Sequence, residues 1–350
     1  MTAAVPRHLV RARHGATTVT TAHPPYDAVH YRIFHPALFT GAAAERQTGT
    51  LPPDLASTPW PVLIMLAGIN VNPDGYRWLA TELAALGVAT VLFQHVGEIM
   101  AGEVGLSPGL DLTALTPEAW STRPSATVIG PLLDSLAADN STGPLAGLLD
   151  LDRVVLAGHS AGGTVALLNA SPTWFGGVVA AISYAGHTMP AALLGHPPGT
   201  VLPVPGALPA LLIAGGHDAI IAASAVRYAS DTSDASDISD ASDISDASAG
   251  GTESTDPHDP ISATFERGAT APGSTLAVLA TATHLSICDP VDTTSARGFL
   301  EADDPDGPAH RDIIVAIIGS FLDEVLGMGG DHPAVSSFGD DPLVSELRRW

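Results

Sequence analysis

Gly158-His159-Ser160-Ala161-Gly162 fits the pattern G-x-S-x-G and lies between two apolar runs, Val154–Ala157 before it and Val165–Leu168 after it. This is the layout of a strand, a tight turn and a helix, and at such an elbow a serine hydroxyl projects above the sheet. Gly158 and Gly162 carry no Cβ, so strand and helix can close on each other while Ser160 takes a backbone conformation that ordinary residues avoid. The amide of Ala161 opens the helix and points its N–H toward any negative charge that develops in front of it. A serine hydroxyl is a weak nucleophile at neutral pH, so the elbow is useful only if the chain also supplies a base, an acid to orient it, and oxyanion donors.

Position selects these partners. Of fourteen histidines, those after Asp218 are His258, His284, His310 and His332. His258 falls in an acidic segment, His310 begins a helix and His332 lies near the end of the chain, whereas His284 directly follows the apolar run Ser274–Ala280. His284 is the candidate general base. Asp218 follows the apolar run Leu208–Ala214 through Gly215-Gly216-His217. It has two readings, the acid that fixes the histidine tautomer and an N-cap of the helix beginning at Ala219. The second oxyanion donor is expected from Leu66-Ala67-Gly68-Ile69-Asn70, with the Ile69 N–H beside that of Ala161. Asn70 serves either as a further donor or to stabilise the turn. His95, Tyr184 and His187 stand at or just beyond expected strand ends and are candidate pocket residues.

The elements that must position these groups alternate. Pro61–Ala67, Val88–Phe93, Asp152–Ala157, Gly177–Tyr184, Leu208–Ala214 and Ser274–Ala280 are apolar runs of strand length, and helical stretches at Gly75–Leu86, Pro124–Ala138, Ala219–Tyr228 and Ile313–Leu326 fall among them. That alternation predicts an α/β fold with a mostly parallel central sheet and helices on both faces, a fold whose functional groups gather at the carboxyl ends of strands. Ala28–Phe34 reads as an early edge strand. Residues 1–25 read as a flexible arm, 26–326 as the folded domain and 327–350 as a tail, with a short amphipathic turn at Leu343–Trp350. The loop Gly97–Arg123 and the stretch Pro190–Pro205 are expected to wall the pocket.

Residues 230–259 break the pattern with a Ser-Asp-x repeat over Ser233–Ser248. The composition predicts a disordered acidic insertion; calcium binding is the alternative, without the glycine and terminal glutamate of an EF-hand loop. The net charge is −23 and the chain contains no lysine, which argues against a nucleic-acid surface. Cys288 is the one cysteine, so an intramolecular disulfide and a zinc–thiolate cluster are excluded. No apolar run reaches membrane-spanning length and no signal peptide is read at the N-terminus, which makes the cytoplasm the expected location.

The order Ser160, Asp218, His284 over Val29–Leu326 resembles the α/β-hydrolase superfamily. Pro61–Phe93 and Gly-His-Ser-Ala-Gly-Gly at the elbow are most similar to the branch of chlorophyllase-like esterases, platelet-activating-factor acetylhydrolases, cutinases and dienelactone-hydrolase-like proteins. The resemblance implies hydrolysis of a small-molecule ester through an acyl-serine, without cofactor or metal. The sequence departs from it in three ways. Ala67 stands where a histidine usually precedes the oxyanion glycine, the nucleophile is Ser160 where dienelactone hydrolases use cysteine, and the exported polyesterases' signal peptide and disulfide are missing. A thioesterase, acyltransferase, lactonase or cofactor-free haloperoxidase would keep the same three residues, and a catalytically silent binding scaffold is the reading from another class. The sequence does not set the oligomeric state.

Overall fold

A strand covered on both faces leaves no position for a polar residue, and Trp60–Leu66 is buried at each of its residues. The computed structural model describes residues 7–100, 102–229, 259–295, 304–330 and 332–350. Their strands are β1 (Leu9–Thr18), β2 (Ala28–Ala37), β3 (Trp60–Leu66), β4 (Ala89–Met100), β5 (Glu103–Leu106), β6 (Leu149–His159), β7 (Val178–Tyr184), β8 (Ala210–Gly215), β9 (Thr275–Leu279) and β10 (Val344–Arg349). Their helices are α1 (Ala43–Thr48), α2 (Arg77–Ala85), α3 (Ile129–Thr142), α4 (Ala161–Leu168), α5 (Ala219–Ala229), α6 (Asp259–Arg267) and α7 (Gly307–Leu326).

The strands form one sheet in the order β1-β2-β4-β3-β6-β7-β8-β9-β10, with β5 paired to β4. From β4 through β9 the neighbours along this path run parallel, while β1–β2, β2–β4 and β9–β10 are antiparallel. The pleat of β3 divides the interior. Leu63 and Met65 belong to a core built with Leu79 and Leu83 of α2 and Ile314 and Ile318 of α7. Val62, Ile64 and Leu66 belong to a second core with Leu132 and Leu136 of α3 and Val165 of α4. Helices therefore cover both faces, and the carboxyl ends of β3, β6, β8 and β9 open on the same edge of the sheet.

Two terminal expectations are corrected. Within the expected N-terminal arm, Leu9–Thr18 pairs antiparallel along the whole of β2, from Leu9 opposite Ala37 to Thr18 opposite Ala28. Within the expected tail, Val344–Arg349 is a strand rather than an amphipathic turn, laid antiparallel against β9. Both are edge strands with mixed polar sequences, and their order comes from the neighbour's unpaired backbone groups rather than from an apolar pattern of their own. The acidic insertion lies outside the described residues except for Asp259, which begins α6.

Candidate active site

Ser160 sits between β6 and α4 with φ 53° and ψ −126°, a backbone conformation that stores about 1–3 kcal/mol. Its surroundings impose that geometry. A Cβ on Gly158 would lie 2.2 Å from the carbonyl of Gly162, and one on Gly162 would lie 2.2 Å from the carbonyl oxygen of Leu66. The strand, the helix and the loop after β3 are thus in backbone contact at the elbow. The Ser160 N–H donates to the Tyr184 carbonyl at 2.9 Å, tying the elbow to the end of β7.

His284 lies in the loop after β9 and is fully buried, with 1% of its side chain exposed. Its Nδ1 is 2.9 Å from Oδ2 of Asp218, whose side chain is wholly buried. An ionised carboxylate only accepts, so Nδ1 carries the proton and the lone pair resides on Nε2, the arrangement a general base needs. The two glycines before Asp218 explain how these loops meet. A Cβ on Gly215 would stand 2.4 Å from the Ala282 oxygen, and one on Gly216 would stand 2.4 Å from the Ala280 oxygen. Backbone bonds from Gly216 to Leu279 (2.7 Å) and from His217 to Ala282 (3.0 Å) join the acid loop to the histidine loop. The Asp218 carboxylate makes two contacts: Oδ2 faces His284, and Oδ1 accepts the Ile221 N–H at 2.8 Å in the first turn of α5. The histidine loop also reaches the elbow, since the His284 carbonyl is 2.9 Å from Nε2 of His159, the residue before Ser160.

Ile69 and Ala161 line one cavity with Ser160. Among the described residues neither N–H is taken up by a protein acceptor. Asn70 stabilises the turn: it adopts φ 56°, and its Oδ1 accepts the Leu106 N–H at 3.2 Å.

The cavity encloses about 590 Å³, and its wall is mostly aliphatic, with Leu110, Leu115, Leu168 and Leu202 among the contributors. Both expected wall segments supply residues, Ile99 to Leu115 from the first and Pro190 to Leu202 from the second. His187 lines the cavity too. Its Nδ1 accepts the Met189 N–H at 3.2 Å, and burial pushes its pKa down to about 4, so the ring is neutral at pH 7.

The other two candidate pocket residues do not reach the cavity. Tyr184 is 1% exposed; its hydroxyl donates to the Thr283 carbonyl at 2.6 Å, so it props the histidine loop. His95 is buried inside β4 near the Ala28 carbonyl, because that strand runs on to Met100 instead of ending at Phe93. Cys288 is buried, and burial pushes its thiol up to about 12, which keeps it protonated. Among the described residues no group of three His, Cys, Asp or Glu side chains could hold a metal ion, and no helix is long and apolar enough to cross a membrane.

Comparison with known proteins places the fold. No family model matches the chain, and no curated protein matches it. Among solved structures it is similar to a ferulic acid esterase from Streptomyces cinnamoneus, with a TM-score of 0.54 and 15% identity over 98% of this chain and 96% of that one. The chain has the α/β-hydrolase fold.

Proposed function

We propose that this protein is a serine hydrolase that cleaves carboxylic esters of apolar small molecules or lipids. The reading rests on one conjunction: a strained serine lining a mostly aliphatic cavity, backed by a buried Asp–His pair whose loop is bonded to the same elbow. The solved ferulic acid esterase of similar fold supports ester hydrolysis as the reaction class. The similarity to the chlorophyllase and acetylhydrolase branch rests on Pro61–Phe93 and the elbow sequence.

In this mechanism Nε2 of His284 takes the Ser160 proton as Oγ attacks the ester carbonyl. The C–O π bond opens to an oxyanion held by the amides of Ile69 and Ala161, each donor worth about 3–4 kcal/mol in the transition state. The oxyanion collapses, the bond to the leaving alcohol breaks, and His284 passes its proton to that alcohol. Water then repeats the sequence on the acyl-serine and releases the acid. Asp218 stays ionised throughout and stabilises the imidazolium. The aliphatic part of the wall takes the acyl or alcohol group.

The test pairs covalent capture with turnover. Intact-mass spectrometry after treatment with a fluorophosphonate is expected to show one adduct on wild type, none on Ser160→Ala and strongly slowed capture on His284→Ala. Hydrolysis of a short p-nitrophenyl ester should follow the same ranking. A folded wild type that forms no adduct would sink the proposal and favour a binding scaffold. Thioesters and alternative alcohol acceptors in the same assay separate hydrolysis from acyl transfer.

A further inference from the structure

His159 precedes the candidate nucleophile, yet it points away from the cavity and is fully buried. Its hydrogen bonds can be assigned a direction from chemistry alone. Nε2 is 2.9 Å from the His284 carbonyl, which can only accept, so Nε2 carries the proton. Nδ1 of the neutral ring is then an acceptor, and it lies 2.8 Å from the Tyr76 hydroxyl, which donates to it. The same hydroxyl accepts the Gly68 N–H at 3.2 Å. Three buried bonds therefore run in one direction, from Gly68 to Tyr76 to His159 to His284.

Each link borders a different part of the site. Gly68 precedes Ile69 in the oxyanion loop, His159 precedes Ser160, and His284 is the base itself. The rings of His159 and His284 are 4.7 Å apart, and those of Tyr76 and His159 are 5.8 Å apart. Burial holds His159 well below the ordinary histidine range and Tyr76 well above the ordinary tyrosine range, so both remain neutral and leave the proton balance of the reaction untouched.

We propose that Tyr76 and His159 are positioning residues that lock the oxyanion loop, the nucleophile elbow and the base at fixed spacing. This rests on the hydrolase reading above. Asp218 holds the His284 ring at Nδ1 and His159 holds its main chain at the carbonyl, so two attachments define where Nε2 points. A leucine or phenylalanine pair would fill the same volume. It would remove the acceptor of the Gly68 N–H and the His159 donor to the His284 carbonyl, in loops that have no ladder.

The experiment compares Tyr76→Phe, His159→Phe and His159→Gln with wild type, below each variant's melting temperature. It reads kcat and KM on a p-nitrophenyl ester, the rate of fluorophosphonate capture, and the pH profile of kcat/KM. Tyr76→Phe and His159→Phe are expected to lose about tenfold to a hundredfold in kcat and in capture rate, with KM within about twofold. The acid limb of the profile should stay in place, since Asp218 still holds the base. His159→Gln should recover part of the loss, because its amide can still donate to the His284 carbonyl. Folded Tyr76→Phe and His159→Phe with kcat within about twofold of wild type would overturn the proposal even if both melt earlier, leaving only a backbone-satisfying role. If wild type reacts with neither probe, it is the hydrolase reading that fails. Amide exchange then decides the tie: faster exchange at Gly68 and in the His284 loop of Tyr76→Phe supports it, and unchanged exchange refutes it.

Discussion

Replacing Asp218 by asparagine isolates the tautomer on which the proposed base depends. The carboxylate serves two donors, the Ile221 N–H at 2.8 Å and the His284 Nδ1 at 2.9 Å. Asparagine has one acceptor oxygen and one NH2 group, so it cannot accept from both. With its oxygen toward Ile221, the NH2 faces Nδ1, the ring proton moves to Nε2, and the base is lost with no hydrogen bond broken. The flipped amide keeps the reactive tautomer but sets two donors against each other at the helix. That costs a cap of about 1 kcal/mol and a buried unpaired N–H of about 1–3 kcal/mol. The reactive form is then a minority of about one in thirty to one in a thousand. Loss of the charge-assisted bond to the developing imidazolium removes about another tenfold. The expected fall in kcat/KM is about 300-fold to 10⁴-fold, the upper end matching the general effect of amidating such an acid. The fold should be almost unaffected, within about 1 kcal/mol, because the preferred orientation satisfies every donor. The assay is p-nitrophenyl ester hydrolysis and fluorophosphonate capture, with urea denaturation alongside. A folded Asp218→Asn protein retaining more than about a tenth of wild-type kcat/KM would falsify the assignment.

Three further outcomes follow from the same geometry. Ser160→Gly and Ser160→Ala both remove the hydroxyl and should be inactive, but glycine accepts φ 53° without strain. Ser160→Gly should therefore denature at higher urea than Ser160→Ala, by about 1 kcal/mol; equal stabilities would mean the elbow stores no strain. Filling the cavity at Leu194, which lines it, with Leu194→Trp should lower kcat/KM for a long acyl ester about tenfold relative to a short one. Unchanged chain-length preference would move the acyl group elsewhere. Stability should also fall on mild acidification because of His187, whose pKa drops from 6.5 to about 4 on folding. Above pH 6.5 the ring is neutral in both states, and below it the unfolded chain binds a proton that the folded chain refuses. Stability is therefore lost as the pH falls from about 6.5 to about 4, by about 3 kcal/mol. His159 acts in the same direction, whereas Asp111 and Asp304, with pKa values held below the usual carboxylate range, act only at lower pH. Urea midpoints at pH 7.5, 6 and 5 test this; a flat series refutes it.

The parts of the fold legible in the sequence are those whose signal is local. Glycines around Ser160 and continuous apolar runs at β3, β6, β7 and β8 report backbone crowding and two-sided burial, and both act within a few residues. Elements ordered by a neighbour were not legible. In β1, Arg11, Arg13, His14 and Gly15 break any apolar pattern, and only the ladder with β2 makes the segment a strand. The same holds for β10 against β9. His95 was misplaced because β4 runs past Phe93 to Met100 and keeps it inside the strand, and Tyr184 because the pleat at the end of β7 turns its side chain into the core. For Asp218 the sequence posed cap and acid as alternatives, although two oxygens allow both. The bond between Tyr76 and His159 joins residues 83 positions apart, and no local pattern carries such a pairing.

The strand order has a consequence for how activity arises during folding. β3 lies between β4 and β6, and β9 closes the parallel part of the sheet beside β8. The proposed oxyanion loop, nucleophile, acid and base follow four separate strands, so no single strand–helix unit holds the whole set. A chain that has collapsed and formed its helices, but has not yet docked β9, has a serine elbow and no base. Pairings so distant in sequence form slowly, after loop-closure entropy has been overcome. Recovery of ester cleavage on refolding is therefore a clock for the β8–β9 pairing, and should lag behind the return of helical signal.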